Sequence, residues 1–149
     1  MRSYHIHLLT EEVAYDYFGK ELLIFNLFLE NRQTANECLI PILTNQINYI
    51  TNPISIIEIN RFIEKSLNIK PLYEQDKIQF TYKIRTKRSQ SMAKLEVYDQ
   101  YLLLSSEGSY EAETAFFETL RKYSPYFLAM DFEHGRFGWL NPIKQRQYV

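Results

Sequence analysis

The C-terminal segment from Tyr110 to Val149 constrains the fold most, because two different hydrophobic periods follow one another within it. Apolar residues first recur every three or four positions, which predicts an amphipathic helix that buries Ala112, Phe116, Leu120 and Tyr123. Ser109 is predicted to cap this helix, and Pro125 stops it. Two strands separated by a tight turn are then predicted, over Tyr126 to Phe132 and Arg136 to Leu140.

A period of two also appears earlier, from Lys77 onward, and predicts more of the sheet. The first strand in this region carries the alternating residues Ile78, Phe80, Tyr82 and Ile84. Two further strands, Met92 to Tyr98 and Tyr101 to Ser105, are predicted to form a hairpin around Asp99-Gln100. The N-terminal residues Ser3 to Leu9 alternate in the same way, which predicts one more strand.

Three helices are predicted between the N-terminal strand and Lys77. The first begins after the N-cap Thr10 and runs to about Asn31, and the others cover Ile42 to Ile50 and Ser55 to Leu67. The sequence therefore predicts a single α+β domain over residues 1–149. Its largely antiparallel sheet has about five or six strands and packs with three or four helices.

The first predicted helix has more apolar surface than one sheet can cover. Its core stripe is expected to contain Ala14, Phe18, Leu22, Phe25 and Leu29. A second apolar line runs beside that stripe through Val13, Tyr17, Ile24 and Leu27. Since a helix on one sheet buries one stripe, the second line is expected to meet another helix or a partner.

Composition indicates a globular cytoplasmic protein. Of the 149 residues, 46% are hydrophobic and 23% are charged, and the formal net charge is -1. The single cysteine, Cys38, cannot form an intramolecular disulfide, which suits a reducing compartment. The N-terminus has no apolar signal-peptide region, and no apolar stretch is long enough to span a bilayer, so no membrane partner is expected.

Potential ligands for a metal are few. His5 and His7 lie two residues apart on one strand face, and further ligands would have to come from Asp131, His134 or Cys38. No sequence pattern brings these residues together, so a polar, solvent-facing strand edge is the preferred interpretation of the histidines. No metal site and no cofactor are predicted.

No catalytic set is predicted either. The apolar neighbours of Cys38 favour a buried, protonated and inert thiol. The sequence contains no nucleophile elbow, no phosphate-binding loop and no dinucleotide-binding fingerprint. The chain is therefore not expected to be an enzyme.

A basic hairpin offers an alternative function. Cationic residues cluster around Tyr82 at Lys83, Arg85, Lys87, Arg88 and Lys94. Such a patch can hold phosphates, so a nucleic-acid-binding regulator that uses Lys83 to Lys94 stays open as the alternative. A solvated edge that resists aggregation is the simpler interpretation.

Several blocks of the sequence resemble the family of the sporulation inhibitor of replication, SirA, from endospore-forming bacteria. The strongest are "YEAETAFFETLRK", "SPYFLAMDF" and "GWLNP" in the C-terminal third. Two shorter blocks, "EEVAYDYFGKE" and "QINYITNPI", stand at compatible spacings nearer the N-terminus.

The resemblance implies an inhibitor that binds the N-terminal domain I of the replication initiator DnaA and blocks it sterically at the onset of sporulation. It implies a monomer in a one-to-one complex, with no direct contact to nucleic acid. It also implies that the protein-binding residues are Val13 and Tyr17 on the first helix and Gln46 and Tyr49 on the second. The family tends to have an aromatic residue where this chain has Val13, so less contact area is expected there.

Overall fold

The computed structural model describes residues 1–74, 77–78, 80–88 and 90–143. In this part of the chain the strands are β1 Arg2–Leu8, β2 Tyr73–Glu74, β3 Lys77–Ile78, β4 Thr81–Thr86, β5 Ser91–Val97, β6 Leu102–Glu107, β7 Phe127–Asp131 and β8 Arg136–Trp139. The helices are α1 Glu11–Asp16, α2 Glu21–Gln33, α3 Ile40–Ile50, α4 Ile56–Leu67 and α5 Glu111–Tyr123. None of these helices combines the length and apolar character that crossing a bilayer requires.

The main sheet is antiparallel throughout and has six strands in the described residues, in the order β4-β5-β6-β1-β7-β8. The N-terminal strand β1 is central, between β6 and β7, so it joins the three-stranded meander β4-β5-β6 to the β7-β8 hairpin. A separate pair, β2 and β3, lies outside this sheet. The predicted α+β class and antiparallel sheet are confirmed.

The prediction of one long first helix was wrong. The chain forms α1 and α2 instead, because Gly19 adopts φ +78, a left-handed conformation that is costly for other residues. The break changes the helical phase, so Phe18 and Leu22 of the expected core stripe are exposed. Ile24, from the second apolar line, is buried.

Two other local predictions need correction. The strand predicted through Ile78 and Ile84 consists of β3 and β4, which belong to different sheets. The N-cap of α5 is Tyr110, which makes no side-chain capping bond, whereas Ser109 was expected in that role. The Ser109 hydroxyl oxygen is buried without a hydrogen-bond partner among the described residues.

One face of the main sheet is covered by α4 and α5, and we call it the α4/α5 face. Alternate residues of every central strand point into this layer, and α5 packs on β4, β5 and β6. Fully buried side chains in this core include Ile6, Ile59, Ile63, Tyr82, Leu95, Leu104, Phe116 and Leu120. Burial of this many apolar side chains is the main stabilising contribution to the fold.

The opposite face, the α2/α3 face, has a smaller core at the β1-β7-β8 end of the sheet. Its buried residues are Leu9, Val13, Ile24, Phe25, Phe28, Leu128 and Met130. Helix α2 is tied to the edge strand β8, because the Trp139 indole N–H donates to Glu21 Oε1 over 3.2 Å. Helix α3 packs beside α2, and the two helices carry the candidate binding site.

Candidate protein-binding site

Helix α1 is held against the end of α3 by a short stretch of backbone pairing. Leu9 forms an antiparallel bridge with Thr51, and the Thr10 N–H donates to the carbonyl oxygen of Ile50 over 3.0 Å. The Thr10 hydroxyl then caps α1 by accepting from the Val13 N–H at 3.2 Å. These bonds place Val13 and Tyr17 next to the C-terminal half of α3.

The four residues named by the resemblance line one concave surface. Val13, Tyr17, Gln46 and Tyr49 all border a hollow of about 600 Å³, which we call the large hollow. The other residues around it are Glu12, Asp16, Leu27, Asn45 and Ile50. The structure therefore brings together residues from α1 and α3 that are about thirty positions apart in the sequence.

A second depression adjoins the first between α1, α2 and α3. This small hollow has a volume of about 330 Å³ and is also lined by Val13, Tyr17 and Gln46. Its remaining lining comes from Leu23, Ile24, Asn26, Leu27, Glu30 and Ile50. We call the two hollows together the α1–α3 groove.

Exposure differs strongly among the four residues. Val13 is only 9% exposed and packs in the α2/α3 core, so it forms part of the floor of the groove. Tyr17 is 38% exposed and Tyr49 is 85% exposed, so both rings have area that another molecule could bury. Gln46 is also exposed, and its amide can both donate and accept hydrogen bonds.

The charged residues that line the described part of the groove are all acidic. Glu12 and Asp16 border the large hollow and Glu30 borders the small one. No binding role was predicted from the sequence for Glu12, so its place in the groove was missed. Its four-residue spacing to Asp16, parallel to that of Val13 and Tyr17, was the signal that could have found it.

Comparison with known proteins agrees with the sequence blocks. The family described as "Sporulation inhibitor of replication protein SirA" matches residues 2–144. The chain belongs to this family. One relative, the Sporulation inhibitor of replication protein SirA of Bacillus subtilis (strain 168), is 41% identical over 149 residues, which is 99% of each chain.

The histidines of this SirA-family chain do not lie on a strand edge, as the sequence suggested. They belong to the central strand β1 and point into the α2/α3 face, where the His7 ring lies 4.3 Å from the Phe28 ring. Burial, with smaller effects from His5 and Arg32, lowers the pKa of His7 to about 3. Burial and then the Arg32 charge also lower the pKa of His5. Both imidazoles are therefore neutral near pH 7.

The remaining residues considered as metal ligands have other surroundings. Asp131 accepts from His134 Nδ1 and from Arg136 Nη2, each at 2.9 Å. Burial opposes ionisation of this carboxyl, but these hydrogen bonds outweigh it and lower its pKa. Cys38 is exposed, which corrects the expected buried thiol. Within the described residues, no group of three or more His, Cys, Asp or Glu could hold a metal ion.

Proposed function

We propose that this chain inhibits the initiation of chromosome replication during sporulation by binding domain I of DnaA through the α1–α3 groove. The observation that carries the proposal is the meeting of Val13, Tyr17, Gln46 and Tyr49 at the large hollow. Membership of the SirA family and the printed name of the relative from Bacillus subtilis support the biological role.

The groove has the form expected of a protein-binding surface. Tyr17 stands between the two hollows and can bury its ring against a partner while its hydroxyl stays at the rim. Tyr49 offers the larger free area, and Gln46 can add directional hydrogen bonds. Val13 contributes the apolar floor, on which a partner side chain would rest.

Inhibition in this proposal is steric and involves no chemical change in DnaA. A domain whose binding face is covered by the groove cannot use that face for its own assembly or for recruiting other proteins. Because Glu12, Asp16 and Glu30 surround the groove, a partner surface with a basic rim around an apolar centre is the best match. We take the complex to be one-to-one and cytoplasmic.

The proposal is tested by calorimetric titration of the protein against purified DnaA domain I from the same organism. We expect saturable binding that Tyr17→Ala weakens at least tenfold, which corresponds to about 1.4 kcal/mol. Tyr98→Ala is the matched control, because Tyr98 is 41% exposed and lies between β5 and β6, outside the groove. The thermal midpoint of each variant shows whether the fold is intact.

The outcomes of this titration distinguish an error in the proposed partner from an error in the proposed binding surface. If Tyr17→Ala and Tyr98→Ala both bind as tightly as the wild type, DnaA domain I is a partner but the groove is not its site. If the folded wild type shows no heat of binding at concentrations well above about 10 μM, the proposed partner is wrong.

A further inference from the structure

A basic strip lies on the sheet far from the groove. It consists of Lys83 and Arg85 on β4 and Lys94 on β5. Their cross-strand neighbours show that all three point to the α2/α3 face, since Lys83 pairs with Lys94 and Arg85 pairs with Met92. Helix α5 covers the other side of these strands, where Tyr82 and Leu95 are fully buried. Lys83 and Arg85 are exposed.

The basic strip is only partly neutralised by its surroundings in the described part of the chain. Lys94 forms an ion pair with Glu96 at 3.7 Å, whereas Lys83 has no carboxylate partner there. Lys83 and Lys94 stand directly opposite each other, and like charges in that position destabilise a sheet. Lys87 and Arg88 extend the cationic surface into the β4–β5 turn, while Glu107 opposes it at the end of β6.

Protection of a sheet edge explains only part of this arrangement. β4 is an edge strand, and lysines on an edge discourage pairing with another chain. Lys94, however, lies on β5, which is paired on both sides and needs no such protection. An anionic ligand at the exposed Lys83 and Arg85 would relieve the repulsion that the Lys94–Glu96 ion pair leaves.

Two stacked tyrosines continue the same face. Tyr98 and Tyr101 stand at the β5–β6 turn with ring centroids 5.0 Å apart, and the outer face of the pair is accessible because Tyr98 is 41% exposed. Tyr98 lies four positions after Lys94, or about 13 Å along the strand. A sheet face that offers cations and aromatic rings together is typical of surfaces that bind single-stranded nucleic acid.

We propose that this face binds single-stranded nucleic acid, with phosphates at Lys83, Arg85 and Lys94 and a base stacked on Tyr98. The binding is independent of the α1–α3 groove and would give the chain a second contact beside its protein partner. An anionic membrane fits less well, because an aromatic pair with one accessible ring face suits a stacked base better than a lipid layer.

The test is fluorescence anisotropy of a labelled oligothymidylate of about 12 nucleotides, titrated with the full-length protein at several salt concentrations. We expect Lys83→Glu/Lys94→Glu to weaken binding more than tenfold and to reduce the salt slope by about 0.7 for each lost phosphate contact. Tyr98→Ala should weaken binding several-fold and leave the salt slope unchanged, since stacking is not electrostatic. The milder Lys83→Gln/Lys94→Gln serves if charge reversal disturbs the hairpin.

Matched controls decide between a site and a general effect of net charge. Lys65→Glu/Lys122→Glu makes the same change in net charge on exposed positions of α4 and α5, and it should bind as the wild type does. Tyr17→Ala should also bind normally, because it lies in the groove. Three results would overturn the proposal. The first is an equal loss of binding in the control pair, and the second is no binding by the wild type. The third is tighter binding to vesicles containing anionic lipid than to the oligonucleotide.

Discussion

The two faces of the sheet are built from the same strands but are covered very differently. On the α4/α5 face, β5 places Ala93, Leu95 and Val97 in a continuous core. On the opposite face the same strand carries Met92, Lys94 and Glu96, which are only partly buried. Alternation along a strand therefore assigns residues to faces, and the helices that pack on each face decide which one becomes core.

The same difference assigns most of the folding stability to one face and both proposed binding surfaces to the other. The α4/α5 face is filled by two complete helices, whereas α2 and α3 cover mainly the β1-β7-β8 end of the other face. Among the described residues, this partial cover leaves a groove between the helices and, on that face, a strip of strands on which no helix packs. Both proposed binding surfaces belong to this less covered side of the molecule.

The largest loss of stability should come from a substitution that leaves a cavity in the α4/α5 core. Phe116 is fully buried, so Phe116→Ala should lower the free energy of unfolding by about 3 to 5 kcal/mol through lost burial and the remaining cavity. Leu103→Ala, on the partly covered face, should cost less than about 1.5 kcal/mol. Chemical denaturation of both variants measures the difference. Equal losses would show that the two faces stabilise the fold similarly, contrary to this comparison.

A smaller loss of folding stability is expected at acid pH, because His7 is buried on the α2/α3 face. The pKa of His7 is about 3 in the folded protein, against an ordinary value of 6.5, so between these values the unfolded chain takes up a proton that the folded chain does not. Folding stability should therefore fall as the pH drops below about 6.5. The groups that face His7 are Phe28 on α2 and Tyr101 beside β6, with the charge of Arg32 and the neighbouring His5 opposing its protonation.

The measurement is the free energy of unfolding at pH 7 and pH 5 for the wild type and for His7→Gln. The wild type should lose about 2 kcal/mol more than the variant over this interval, because the variant has no imidazole to protonate at that position. The carboxyl of Asp131 titrates below this range and does not contribute to the difference. If both proteins lose the same stability, His7 is protonated in the folded state.

Much of the fold was predictable because strand alternation and helix periodicity depend on local sequence. Helices α3 and α4 and the β5–β6 hairpin were predicted within a few residues of where they lie. The mid-helix Gly19 indicated a bend but not a complete break into α1 and α2, since its positive φ shows only in the folded chain. The burial of His7 was missed because the central position of β1 depends on pairing with strands far away in sequence.

The candidate site was less accessible to sequence reasoning than the fold. Spacing placed Val13 and Tyr17 on one helical face, but the residues themselves came from a family resemblance. Their meeting with Gln46 and Tyr49 depends on the Leu9–Thr51 bridge, which joins the start of α1 to the end of α3. Long-range backbone pairing of that kind leaves no periodic signal in the sequence.

The smallest expected effect is on the folding stability that the like charges of the basic strip lower. Lys83→Thr removes one of two opposed like charges and introduces a residue that suits strands, so it should stabilise the protein by a few tenths of a kcal/mol at low salt. The gain should disappear at about 1 M salt, where the repulsion is screened. Denaturation at the two salt concentrations, with Lys122→Thr on α5 as the control, measures it. A gain that survives high salt would come from strand propensity, and the argument that an anion relieves a repulsion on this face would then lose its basis.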